Sequence, residues 1–130
     1  MERSEIAEMF CAAIYTGKVP AEFEIFVSEQ ITSAVVSGTN PSDSERQFLG
    51  IHGLRRLVGF CRESLQIVSG EMTGCIVKED CLFAFGTVRL LSAVEKSSAE
   101  ASFAVNLVWR SSQIVSARLR IMWPFPMELD

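Results

Sequence analysis

From Ala101 to Trp109 every second side chain is apolar: Ala101, Phe103, Val105, Leu107 and Trp109. The positions between them include Ser102 and Asn106 and lead on to Arg110. The same period returns in Ala117, Leu119, Ile121 and Trp123, interleaved with Arg118 and Arg120. A period of two belongs to a strand with one dry and one wet face. Only "SSQ" separates the two runs, and a connection that short joins antiparallel neighbours. Cost fixes the register, because a slip of one residue would bury Arg118 and Arg120 unpaired. Both tryptophans therefore face the interior.

Two more strands precede this pair, at about 66–77 and 81–92, so four strand segments run from residue 66 onward (the last two at 100–110 and 114–123). Their separators "KED" and "AVEKSSA" are short and polar. The first half of the chain has a different period. Ile6, Met9, Phe10, Ala13 and Ile14 recur at helical spacing, with Ser4 as N-cap and Gly17 as stop. Pro20 opens a brief second helix with Phe23, Phe26 and Val27 on one side. "ITSAVVSG", residues 31–38, reads as a strand, and the polar "TNPSDSERQ" after it as a loop. Beyond Gly50, the spacing of Ile51, Leu54, Leu57, Val58, Cys61 and Leu65 predicts a third helix. Three helices followed by a meander make one α+β domain over residues 1–130, with the helices on one face of a curved sheet.

The chain is 48% hydrophobic over 130 residues, enough for a core without disulfides or metal. Sixteen acidic against 12 basic side chains give a net charge of -4, the reverse of a phosphate-binding footprint, so nucleic acid is not an expected partner. The start carries Glu2, Glu5 and Glu8 in place of a basic, apolar secretory signal, and no apolar run approaches the roughly 20 residues of a membrane span. A cytoplasmic protein with no membrane contact is expected. Cys11, Cys61, Cys75 and Cys81 form no C-x-x-C pair and have no adjacent histidine, so they read as small core residues, with no metal and no cofactor expected.

The segments "FCAAIYTGK", "LGIHGLRRLVGF", "CLFAFGTVRL" and "FAVNLVWRSSQIVSARLRI" occur in the order and spacing of the nuclear transport factor 2-like superfamily. Over nearly the whole chain the sequence resembles its SnoaL-like and ketosteroid-isomerase-like branch. The resemblance implies a cone-shaped, cystatin-like α+β barrel. Its curved, mostly antiparallel sheet wraps the helices around an apolar pocket, and subunits pair through the outer sheet faces. Ketosteroid isomerases use a first-helix tyrosine and a protonated acid as oxyanion donors, with an aspartate as base. The matching positions here are Phe10, Val105 and Ala34. The acids that SnoaL-like relatives carry near the close of the last strand fall at Ile121 and Met122.

A pocket lined by Phe10, Phe26, Ala34, Phe103, Val105, Leu119, Ile121 and Trp123 would suit a small apolar molecule. The rival readings are a SnoaL-like isomerase, cyclase or dehydratase working through His52 or Tyr15 on a polyketide-like or steroid-like substrate, and a non-catalytic interaction module with a filled interior. Tyr15 sits one residue off the apolar stripe and reads as a helix-end residue with its hydroxyl in water. His52, at the start of the third helix, reads as a capping or partly exposed residue. Asn106, Arg118 and Arg120 would lie on the outer sheet face, where Ala104 and Val108 add apolar area for a homodimer. Glu71 and Arg89 would pair across neighbouring strands.

Overall fold

The structure, a computed structural model, describes residues 2–37, 45–92 and 97–122. Its first helix, α1, runs Arg3–Thr16. It starts ahead of the expected Ser4 cap, because the Glu5 carboxylate reaches back to accept the Glu2 backbone N–H at 3.4 Å. Gly17 ends it in the left-handed conformation, φ 79°, donating its N–H to the Ala13 carbonyl. The second helix, α2, is one turn, Ala21–Glu24. Phe26 and Val27 therefore fall beyond it, and Val27 opens β1, which extends to Ser37 and so starts four residues before the expected strand.

The chain then departs from the sequence expectation. Glu45–Leu49, read as part of a polar loop, forms a short strand β2 antiparallel to β1. One buried side chain, Phe48, anchors it; the rest of that polar segment, 39–44, lies outside the described residues. Gly50–Glu63 is α3; of the predicted positions it buries Leu54, Leu57, Val58 and Cys61, together with Gly53, while Ile51 is half-buried and Leu65 falls beyond its end. Ile67–Lys78, Cys81–Ser92, Ser97–Arg110 and Gln113–Met122 are β3 to β6.

The six strands form one mixed sheet in the order β2-β1-β6-β5-β4-β3. Neighbours are antiparallel except β1 and β6, which are parallel. Two-residue turns at Glu79–Asp80 and Ser111–Ser112 join β3 to β4 and β5 to β6. Positive φ at Glu79, Ser111 and Ser112 gives these turns a twist that matches the strands. The pairs Phe103↔Ile121, Val105↔Leu119 and Leu107↔Ala117 put the two dry faces on one side, the register that the cost of burying Arg118 and Arg120 demands. Irregularities in β1, β3 and the β5–β6 ladder bend the sheet around the helices. It stays open, with β2 and β3 as its edges, so the barrel is a partial one.

Candidate functional site

Five of the eight proposed lining residues meet on the inner face. Phe10, Phe103, Val105, Leu119 and Ile121 are all buried in one cluster, and Phe26 packs half-buried against it. Phe10 of α1 stacks on Phe23 at 5.6 Å. Ala34 is not with them. It pairs with Arg118 of β6 while its neighbour Val35 pairs with Leu119, so Ala34 belongs to the outer face. Phase explains the correction: Ile31, Ser33 and Val35 share the inner side, and Ser33, paired with Ala117 and Phe48, takes the inward place. Trp123 lies outside the described residues.

Tyr15 is placed differently from the water-exposed helix end suggested by its offset. Its ring lies against β3 over Gly70, where a Cβ would stand 2.2 Å from Cε1 of the tyrosine. Gly86 on β4 makes the matching space for Phe103, since a Cβ there would meet Cε1 of Phe103 at 2.6 Å. The two rings meet edge to face, 6.0 Å apart at 68°. The Tyr15 hydroxyl is buried, and among the described residues no nitrogen or oxygen stands in hydrogen-bonding position around it. A helical side chain leans toward the N-terminus, which brings this hydroxyl back toward Cys11, one turn earlier. Burial, with the Cys11 thiol beside it, pushes the phenol well above its usual range, so Tyr15 keeps its proton. Burial also pushes the Cys11 thiol up to about 12.

His52 stands outside this interior. It is exposed on α3, with Nδ1 3.4 Å from the Arg55 guanidinium. Arg55 in turn donates to both carboxylate oxygens of Glu24, at 2.9 and 2.5 Å, and holds that carboxyl below its ordinary range. Among the described residues Ser33 is the one polar or charged residue that is fully buried; its Oγ, like the Tyr15 hydroxyl, has no partner. Ser33 was missed as a candidate, although its phase with Ile31 and Val35 in "ITSAVVSG" carried the signal. The cysteines are all free, Cys11 and Cys61 buried and the other two half-buried. No group of three His, Cys, Asp or Glu among the described residues is arranged to hold a metal ion. Among the described residues the inner face is thus apolar apart from the Tyr15 and Ser33 hydroxyls, with no buried carboxylate or imidazole beside them.

The outer face carries the residues proposed for subunit contact. Register places Ile76, Phe83, Asn106, Arg118 and Ala34 in one row across five strands, and Phe85, Ala104, Arg120 and Val36 in the next. Arg118 is tied to Glu45 of β2 at 2.5 Å. Ile76 is 59% exposed and Phe83 and Phe85 40% each, so large apolar side chains stand in water beside the arginines. The Asn106 Oδ1 is buried among them without a partner among the described residues, beside a depression of about 180 Å³. Glu71 does not pair with Arg89. Its cross-strand partner is Thr87, while Arg89 lies opposite Glu100 and meets it at 3.7 Å.

No family model matches the sequence, and no curated protein does. Solved structures do match in fold. A Mesorhizobium loti protein described as a SnoaL-like polyketide cyclase is 17% identical, covering 92% of this chain and 98% of its own, with a TM-score of 0.62. A nuclear transport factor 2-like protein from Anabaena variabilis is 16% identical over 91% of this chain and 84% of its own, with a TM-score of 0.62. A Xanthomonas campestris protein of unknown function with a cystatin-like fold is 15% identical over 93% and 91%, with a TM-score of 0.65. Such identities speak for fold, and function resides in the site placed on it. The chain has the cystatin-like α+β fold shared by nuclear transport factor 2-like and SnoaL-like proteins.

Proposed function

We propose that this chain is a binding protein for a small apolar molecule bearing a carbonyl or ether oxygen, held between α1 and the inner face of the sheet. One observation carries the reading: among the described residues the buried Tyr15 hydroxyl has no nitrogen or oxygen partner, and only the Cys11 thiol, a weak partner, stands beside it. A buried donor left unpaired is costly and calls for an explanation, and a ligand oxygen would accept its hydrogen bond. Catalysis is the weaker alternative, because the positions of the isomerase base and donors hold Ala34, Phe10 and Val105, and Ala34 does not even face the interior. A Δ5-ketosteroid should therefore bind without turning over. The exposed Ile76, Phe83 and Phe85 beside the unpaired Asn106 Oδ1 favour a homodimer through the outer sheet face. Four free thiols suit a reducing, cytoplasmic setting, and no described helix is long and apolar enough to cross a membrane.

The test compares apolar ketones with shape-matched hydrocarbons by the emission of Trp109, a buried residue of the same sheet face. Tyr15→Phe should weaken ketone binding about tenfold, the worth of one hydrogen bond in a dry site, and leave hydrocarbons unaffected. Equal affinity of both variants for ketones, or flat titrations across the panel, would leave the filled interaction module as the better reading.

A further inference from the structure

A second site lies at the edge of the sheet, away from the residues that surround Tyr15. Arg46, Phe48, Arg56, Gly59, Phe60 and Glu63 line an open groove of about 360 Å³ between β2 and the last turns of α3. Arg46 lies opposite Val35, on the inner side of the edge strand, so its side chain turns toward α3. Its guanidinium sits 4.7 Å from the Phe60 ring and 5.7 Å from the Phe48 ring, and the two rings are 6.2 Å apart. Arg46 and Arg56 are both exposed, and neither has a carboxylate partner among the described residues. A guanidinium held flat on a ring keeps its other face and its N–H edge available for a second planar group.

The floor of the groove is Gly59. Glycine inside a helix is destabilising relative to alanine and usually has a packing reason. Gly53, in the same helix, has one: a Cβ there would stand 3.0 Å from the Phe48 backbone carbon. A Cβ on Gly59 would meet nothing within 4 Å. The chain itself does not use the space that Gly59 leaves.

We propose that this groove binds a planar aromatic monocarboxylate. The ring stacks on the Arg46 guanidinium above Gly59, and the carboxylate takes the N–H groups of Arg56. Stacking on Arg46 supplies the preference for a flat ring, and the fork of Arg56 matches a carboxylate. Glu63, on the same wall, repels a second negative charge and selects monoanions. The site is separate from the interior one, which takes neutral molecules.

The test follows backbone amide shifts of the full chain with 2-naphthoate and with its neutral counterpart, 2-naphthalenemethanol. Naphthoate should move the amides of Arg46, Phe48, Gly59 and Phe60 and saturate, with the alcohol at least about tenfold weaker there. Arg56→Gln should weaken naphthoate about tenfold, and Gly59→Leu should abolish its binding by filling the groove. Equal effects of acid and alcohol at these amides, unchanged binding by either variant, or no shifts at these positions would overturn the proposal. Shifts confined to Tyr15 and Phe103 would overturn it while supporting the interior ligand, so the two readings fail separately.

Discussion

Among the described glycines, Gly86 is the position where a single methyl group has the least room. A Cβ there would stand 2.0 Å from the Glu71 carbonyl oxygen, a backbone atom of the paired strand, and 2.6 Å from the Phe103 ring. Because the backbone cannot rotate away as a side-chain tip can, Gly86→Ala should cost about 3 kcal/mol, read as a fall in the urea midpoint. An unchanged midpoint would mean that Phe103 does not lie on the strand as described. The thiols give a pH dependence whose sign follows from burial. Cys11 and Cys61 are pushed from 9.0 up to about 12, so the folded state holds their protons where the unfolded chain releases them. That contribution is complete below about pH 9 and is lost as the pH rises from there toward about 12. The urea midpoint should accordingly fall between pH 8.5 and 10.5, as about half of what the two buried thiols supply is lost by the upper end, and the Cys61→Ala variant should fall less steeply. A midpoint flat or rising across this range would contradict the burial of these thiols.

At the scale of elements, two of the three glycines of α3 make an internal control. Gly53 lets the helix touch the β2 backbone, whereas Gly59 makes no comparable contact. Gly59→Ala should stabilise the chain by about 0.5–1 kcal/mol, seen as a higher thermal midpoint, while Gly53→Ala should lower it. Loss of stability at Gly59→Ala would point to a packing role that the geometry lacks. The elements also divide by how plainly the sequence announced them. α3 and the β5–β6 hairpin have long, strict periods, and the buried side of the helix and the register of the hairpin follow from those periods. β2 has no such signal, since Glu45, Arg46 and Gln47 are exposed and only Phe48 is buried. It is a strand because β1 offers it backbone partners from Thr32 to Val36, a long-range cause that no local window contains.

For the whole molecule, the outer sheet face sets the expected assembly. Ile76, Phe83 and Phe85 are exposed around Asn106 and the Glu45–Arg118 ion pair. A second copy of this chain, turned about a two-fold axis, would cover all of them at once. Sedimentation at micromolar concentration should give a dimer, and Phe83→Glu, a change at an exposed ring that leaves the Glu45–Arg118 pair intact, should give a folded monomer. A monomer in the unmodified chain would end the idea. The sequence by itself determined the α+β class, the inward direction of Phe103, Val105, Leu119 and Ile121, and the outward direction of Arg118 and Arg120, because burying a row of arginines costs far more than any competing register. Only the tertiary structure decided where single polar groups would stand. Tyr15 turns inward because Gly70, far along the chain, leaves a bed for its ring. Ser33 displaces Ala34 from the interior because the pairing of β1 with β6 sets the phase of a strand whose own sequence is apolar on both sides. Local patterning fixes which faces are dry, but the position of one hydroxyl inside a dry face depends on which distant backbone comes to lie against it.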